Sequence, residues 1–197
     1  MLRETLFRTD EPDYDREWVA AHPLDALREL SQILRSVAPD WCASDDRIGR
    51  GLQEILSSED SLLPHLFTNP SIDLAERIFA VRGIEALYRD FFTKTCRPTI
   101  KTIGASGTTC EYVCYMLCEM LPLTSESEPE LVDAYVEAMK KTLELQNESC
   151  VEGALHGLGH LVRSRPELGD FIRTAIKPDW SVTIRTYAES CATGFIQ

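Results

Sequence analysis

Two short motifs in the C-terminal half of the chain recur at the spacing of helical hairpins. Ser-Glu-Pro-Glu-Leu at 127–131 returns as Ser-Arg-Pro-Glu-Leu at 164–168, a shift of 37 residues. Glu-Ser-Cys-x-x-Gly at 148–153 returns at 189–194, a shift of 41 residues. Repeats of this length are pairs of helices that bury their apolar faces against the neighbouring pairs. The spacing therefore predicts consecutive two-helix units.

The chemistry of these motifs also predicts where helices begin. In both Ser-x-Pro-Glu-Leu motifs the serine and the glutamate are three residues apart, as in a capping box, and proline is tolerated in a first turn. Along residues 130–145, apolar side chains recur at helical spacing and charged ones occupy the opposite face. An earlier unit opens at Cys110, 40 residues before Cys150. The predicted helices cover residues 24–37, 46–58, 72–93, 108–121, 129–146, 149–162, 166–177 and 185–197.

With these motifs and a period of about 40 residues, residues 108–197 resemble the HEAT and armadillo class of α-helical repeats. The resemblance implies an all-α fold of stacked antiparallel helical hairpins that form a short, curved α-solenoid. It also implies that the second helix of each pair lines a concave, partner-binding face. The first helices lack the interior proline common in HEAT repeats, so the resemblance concerns architecture. We expect an N-terminal arm or cap at residues 1–22 and a single helical-repeat domain at residues 23–197.

The charge balance disfavours some classes of partner. The 197 residues include 20 basic and 32 acidic side chains, a net charge of −12 at pH 7. Such a chain repels phosphate backbones and anionic lipid, so we expect no binding to nucleic acid or to a membrane. The N-terminus lacks a secretory signal, and no apolar run approaches the ~20 residues of a membrane span. We therefore expect a cytoplasmic protein whose seven cysteines are reduced thiols.

Cys110, Cys114 and Cys118 are spaced four residues apart, as a metal-binding stripe would be. All three share the apolar face of their predicted helix. Free cysteine packs as a small hydrophobic residue, and cysteine zinc sites usually contain closer Cys-x-x-Cys pairs. We interpret the three thiols as part of the core.

The segment His156-Gly-Leu-Gly-His160 carries the most informative polar pattern. Two imidazoles at i and i+4 face one side of a helix, as in His-Glu-x-x-His zinc helices, and Glu152 lies one turn earlier. One interpretation is a divalent metal bound by these three side chains, although glycine replaces the general base of that motif. The other interpretation is a pair of polar groove residues that neighbouring helices satisfy.

Glycines mark two further features. Three of them interrupt the helix of the histidines, at a cost of about 1 kcal/mol each relative to alanine. They predict that a neighbouring helix, a peptide or a ligand closely approaches the backbone at Gly153, Gly157 and Gly159. The Gly-Ala-Ser-Gly segment at 104–107 precedes a helix and has amides suited to an anion. We favour the alternative, in which Ser106 or Thr108 caps that helix.

Aligned positions of the second helices are expected to form one binding groove. Its predicted residues are Tyr112, Met116, Glu119, Met120, Glu152, His156, His160, Thr193 and Gln197. The leading hypothesis is a non-enzymatic scaffold without a cofactor that binds a protein or peptide, with acidity favouring a basic partner. The alternative is a metal-dependent enzyme, a hydrolase or oxygenase, centred on Glu152, His156 and His160. The apolar end at 195–197 predicts a homodimer through the C-terminal helix.

Overall fold

A computed structural model describes residues 2, 7, 14–38, 45–59 and 61–196, and every regular element among them is helical. In chain order the α-helices are α1 (Arg16–Ala21), α2 (Pro23–Ser36), α3 (Asp45–Leu56), α4 (Leu74–Val81), α5 (Gly83–Leu87), α6 (Thr109–Met120), α7 (Pro129–Thr142), α8 (Glu148–Leu161), α9 (Glu167–Ala175) and α10 (Val182–Cys191). A 3₁₀-helix, Pro64–Thr68, precedes α4, and α5 continues into a π-helical stretch, Tyr88–Phe92, and a last turn, Thr93–Thr95. The predicted all-α class is confirmed. In this described part of the chain, no helix combines the length and apolarity needed to cross a membrane.

Most predicted helices agree with the structure to within a few residues, with four exceptions. The single helix predicted at 72–93 is interrupted at Arg82, between α4 and α5. Helix α1 lies inside the predicted arm, where Asp15 caps it by accepting the N–H of Trp18 at 2.9 Å. The 3₁₀-helix falls in a stretch that was predicted to be a loop. Helix α10 begins earlier than predicted because Ser181 accepts the N–H of Ile184 at 3.3 Å, and it ends at Cys191.

Both predicted capping boxes are wrong, although a helix begins beside each of them. Neither α7 nor α9 has a side-chain cap. The Ser127 hydroxyl instead accepts the N–H of Thr124 at 3.1 Å, and the Ser164 hydroxyl donates to the carbonyl of Leu161 at 3.0 Å. The proline that follows each serine explains why the start was still correct, because its fixed φ suits a first turn.

Glycines set how closely α8 approaches α6 and α7. A Cβ atom at Gly153 would overlap the carbonyl oxygen of Cys114 in α6. A Cβ atom at Gly157 would overlap the hydroxyl of Tyr135 in α7 and would lie 3.2 Å from the Cβ of Cys118. The groups that approach the backbone are therefore other helices of the same chain, one of the alternatives that the glycines predicted.

Helices α6, α8 and α10 lie side by side and run in the same direction. Along α8, Gly153 meets Cys114 of α6, and Gly157 meets Cys118 one turn later. On the other flank of α8, His156 contacts Tyr187 of α10. Further along α8, Gly159 packs against Cys191 of α10. Contacts that advance together on both helices require parallel axes.

Helix α3 extends this row on the far side of α6. Gly49 packs against Thr109 at the start of α6, and the N–H of Ser58, just after α3, donates to the carbonyl of Met120 at 2.8 Å. Helices α2, α4, α5 and α7 contact one another on the other side of this row. The ion pair of Arg77 with Glu128 joins α4 to the start of α7 there. The described helices therefore form two layers, and α8 lies near the middle of the parallel one.

Buried apolar side chains from both layers form one continuous cluster. Cys110 and Cys114 are buried in it, which confirms that these thiols belong to the core, as do the thiols of Cys150 and Cys191. Cys118 is only partly buried and packs at the edge of the cluster, beside the histidines.

Candidate metal centre between helices α6 and α8

Three polar side chains converge where α6 and α8 lie side by side. The Oε1 atom of Glu119 is 3.0 Å from Nε2 of His156 and 3.1 Å from Nε2 of His160. The two Nε2 atoms are 3.3 Å apart. Two imidazole nitrogens and one carboxylate oxygen therefore surround a single point between the helices.

Helix geometry brings these groups together. His156 and His160 are one turn apart on α8, and their rings meet edge to face with centroids 4.8 Å apart. Glu119 lies in the last turn of α6 and reaches them because the glycines let the two backbones approach. The side chain of His156 is 2% exposed, whereas those of His160 and Glu119 are 42% and 43% exposed. The group is closed on the protein side and open to solvent on the other.

Two tyrosines hold the inner imidazole. The hydroxyl of Tyr187 lies 2.7 Å from Nδ1 of His156, and the ring of Tyr115 packs on this imidazole with centroids 4.4 Å apart. The Tyr115 and Tyr187 hydroxyls are 3.5 Å from each other. A partner on Nδ1 fixes the orientation of the ring and directs Nε2 at the point shared with Glu119, as the outer partners of metal-bound histidines do.

The electrostatic environment favours the unprotonated forms of His156 and Glu119. Burial lowers the pKa of His156 and outweighs the opposing effect of Glu119. Burial alone would raise the pKa of Glu119, but the hydrogen bonds from His156 and His160 outweigh it and lower that pKa. A neutral imidazole and a charged carboxylate are the forms that bind metals. The C-terminal ends of α6 and α8 add negative partial charge, which also favours a cation here.

Cys118 is a fourth, more distant donor. Its Sγ atom and the ligand nitrogens of His156 and His160 lie within 4.8 Å of one another. Burial raises the pKa of the Cys118 thiol, with the neighbouring Glu119 charge adding to the effect, which disfavours the thiolate that a metal needs. The carboxylate of Glu119 is therefore the better-placed third donor.

The structure places Glu152 apart from the two histidines with which the sequence grouped it. Its Oε1 atom accepts the N–H of Gly104 at 2.7 Å, and the residue is 4% exposed. Burial raises the pKa of Glu152 to about 7. The metal set Glu152, His156 and His160 is thus corrected, because Glu119 of the neighbouring helix supplies the carboxylate beside the imidazoles.

Two amides of the segment at 104–107 donate to carboxylates of the protein itself. Gly104 donates to Glu152, and Gly107 donates to Oε2 of Glu111 at 2.6 Å. Glu111 also accepts from Nε of Arg97 at 2.7 Å, and the Thr108 hydroxyl caps α6 by accepting the N–H of Glu111 at 3.2 Å. The favoured interpretation of this segment, a helix cap, is confirmed. The anionic groups that bind its amides are the side chains of Glu152 and Glu111.

The predicted groove is only partly a surface. Its solvent-exposed members are Tyr112, Glu119, His160 and Thr193. Met116 is partly buried and Met120 is buried, and both pack against the core cluster. His156, which was expected to face outward, is buried and hydrogen-bonded. Gln197 lies outside the described residues.

Sequence reasoning missed the roles of Glu119 and Tyr187 in this group. An alignment at the 40-residue period set Met116 and Met120 opposite the two histidines, whereas in the structure Glu119, the residue before Met120, reaches both of them. One residue turns a helix by about 100° and therefore changes which side chain points at the histidines. Tyr187 lies on the next helix pair, and no spacing rule connects it to His156.

Comparison of the chain with protein-family models, with curated proteins and with solved structures found no match.

Proposed function

We propose that this protein binds one divalent transition-metal ion, of the Zn²⁺ or Fe²⁺ class, through Glu119, His156 and His160. The observation that carries the proposal is the mutual spacing of the three donor atoms, 3.0, 3.1 and 3.3 Å. Metal–nitrogen and metal–oxygen bonds of about 2.0–2.2 Å place neighbouring ligands about 3.0–3.5 Å apart in octahedral or tetrahedral sites. The donors therefore match a metal site without any rearrangement.

Hydrogen bonds alone offer a second account of the same geometry. In that account the Tyr187 hydroxyl donates to Nδ1 of His156, and the Nε2–H groups of His156 and His160 both donate to Glu119. It leaves two N–H groups crowded on one carboxylate oxygen with their nitrogens 3.3 Å apart. A cation at the shared point removes this crowding, and it is further favoured by the acidic chain and the helix C-termini.

The ligand set supports a catalytic role rather than a purely structural one. Two histidines and one carboxylate leave coordination positions free, as in hydrolytic zinc enzymes and in iron oxygenases. The partial exposure of His160 and Glu119 supports free positions on the solvent side. Such an ion would polarise a bound carbonyl or activate a water molecule. We propose a metal-dependent enzyme of the hydrolase or oxygenase class.

The scaffold that carries this site is proposed to be a short α-solenoid. The parallel order of α3, α6, α8 and α10, with α2, α4, α5 and α7 in a second layer, supports this architecture. Partner binding by a cytoplasmic scaffold remains the second candidate. It is favoured by the exposed aromatic ring of Tyr112, on the same helix as Glu119. We keep the single repeat domain and the C-terminal homodimer as further proposals.

Metal analysis tests the proposed site. Protein purified without an affinity tag or chelator is expected to hold about one Zn²⁺ or Fe²⁺ per chain by inductively coupled plasma mass spectrometry. Glu119→Gln and His156→Ala should lose it, whereas the matched control Glu152→Gln should keep it. Circular dichroism shows whether each variant is folded. Metal-free protein that also fails to bind added Zn²⁺, Fe²⁺ or Co²⁺ in calorimetry would refute the proposal, as would folded Glu119→Gln with full occupancy.

A further inference from the structure

A cavity of about 290 Å³ opens directly beside the candidate metal centre. Its walls are His160, Arg163, Gly194, Phe195 and Ile196. His160 is thus a wall of the cavity and one of the three donors of the metal site. A molecule in this cavity would lie against one of the three proposed metal ligands.

Arg163 brings a positive charge into this cavity. It is exposed and three residues beyond His160, which puts the two on neighbouring positions of the helix end. Among the described residues it has neither an ion pair nor a side-chain hydrogen bond, whereas nearby Arg165 is paired with Asp133 at 2.5 Å. An unpaired guanidinium is a planar donor that suits a carboxylate.

The chain after α10 supplies the apolar part of the cavity. Gly194 adopts a φ of 72°, a conformation that favours glycine, and so turns the chain back against the end of α8. The aliphatic stem of Arg163 packs against this turn, and Phe195 beyond it is 60% exposed. Ile196 is partly buried and adjoins the same cavity. The exposed ring of Phe195 and the guanidinium of Arg163, which has no ion pair among the described residues, therefore line the same cavity.

We infer that this cavity is the substrate subsite of the metal centre and that it takes a small organic carboxylate with an apolar body. The inference rests on the proposed function. The carboxylate would lie between the metal and the guanidinium of Arg163, and the apolar body would cover Phe195 and Ile196. A cationic molecule would leave Arg163 without a partner, and a purely polar molecule would leave the ring of Phe195 exposed to water.

Spectroscopy of the Co²⁺-loaded protein tests the inference, because d–d bands respond to a new ligand on the metal. Phenylacetate is the probe, with acetate and benzylamine as comparison compounds. We expect saturable changes with phenylacetate at millimolar concentrations, weaker changes with acetate and none with benzylamine. Arg163→Ala should weaken phenylacetate binding at least about tenfold, because it removes a charged hydrogen bond. The exposed control Arg82→Ala, at the junction of α4 and α5, should leave it unchanged.

Each outcome separates the subsite from the metal site. If Co²⁺ binds but phenylacetate causes no saturable change, or if Arg163→Ala binds it unchanged, the subsite is refuted and the metal site stands. If the protein binds none of Co²⁺, Zn²⁺ and Fe²⁺, the metal site is refuted, and the subsite that rests on it is refuted with it. A second variant, Phe195→Ala, should weaken phenylacetate while sparing acetate. A dimer that dissociates in Phe195→Ala, with phenylacetate binding unaffected, would assign this ring to contact between copies instead.

Discussion

Replacing Glu152 with glutamine should stabilise the protein, and increasingly so as the pH rises. The carboxyl group is 4% exposed and accepts one N–H, from Gly104. Burial raises its pKa, the N–H of Gly104 and the guanidinium of Arg97 lower it, and the carboxylates of Glu111 and Glu148 raise it further. Glutamine keeps the acceptor oxygen for Gly104 but carries no charge to bury.

The magnitude follows from the shift of the pKa from 4.5 to about 7. The folded state holds its proton up to about pH 7, whereas the unfolded chain releases it above pH 4.5, so stability falls as the pH rises between these values. At about 1.4 kcal/mol per pKa unit, the buried carboxylate costs about 1 kcal/mol at pH 5.5 and about 3 kcal/mol at pH 8.5. In a domain of this size, 3 kcal/mol corresponds to a rise of about 6–12 °C in Tm.

Urea unfolding of the wild type and of Glu152→Gln at about pH 5.5, 7 and 8.5 measures this difference in the free energy of unfolding. The free energy of unfolding of the variant should exceed that of the wild type by an amount that grows with pH and levels off above pH 7. Glu111→Gln is a matched comparison, because the hydrogen bonds of Gly107 and Arg97 outweigh burial and lower its pKa. That variant should lose stability instead. A difference between Glu152→Gln and wild type that does not vary with pH would refute the reasoning.

Three further predictions concern the site and its frame. Gly153→Ala should lower the free energy of unfolding by about 2 kcal/mol or more in urea titration, because the new Cβ atom would overlap a main-chain oxygen of α6. Gly159→Ala should be nearly neutral in the same assay, because the nearest atom to its Cβ would be 3.1 Å away. Tyr187→Phe should keep the fold but reduce Zn²⁺ affinity about 10–100-fold in calorimetry, because His156 loses the partner of its Nδ1 atom. Zn²⁺ at about 100 times its Kd should raise Tm by about 5–10 °C, and chelator should reverse this. Equal losses of stability in Gly153→Ala and Gly159→Ala would contradict the first prediction. Unchanged Zn²⁺ affinity in Tyr187→Phe would contradict the second, and a Tm that does not respond to Zn²⁺ would contradict the third.

The helices were largely predictable from the sequence because local signals determine them. Prolines at 129 and 166 mark the starts of α7 and α9, and the apolar periodicity of the chain sets the buried faces. The repeated Glu-Ser-Cys motif correctly indicated buried thiols at Cys150 and Cys191. Capping failed because each serine hydroxyl has another backbone partner nearby, the N–H of Thr124 for Ser127 and the carbonyl of Leu161 for Ser164, and spacing alone does not decide among such partners.

The site was only half predictable, because its parts come from three helices. The i, i+4 rule identified His156 and His160 as a pair and the glycines as places of close approach. The third donor depends on how α6 packs against α8, which brings Glu119 rather than the neighbouring Met120 to both histidines. Glu152 was chosen because it lies on the same helix, but a nearby loop amide takes its carboxylate. Register between helices is a tertiary property that no local pattern encodes.

The contact of Gly153 with the carbonyl of Cys114 means that main chain rests on main chain at the crossing of α6 and α8. Backbone atoms have fixed dimensions, so the gap between the two helices does not depend on how bulky the surrounding side chains are. Substitutions among the buried aliphatic residues would change the stability of the fold but would leave the spacing of the three donor atoms unchanged. The spacing of the three side chains can therefore stay constant while the rest of the interior evolves.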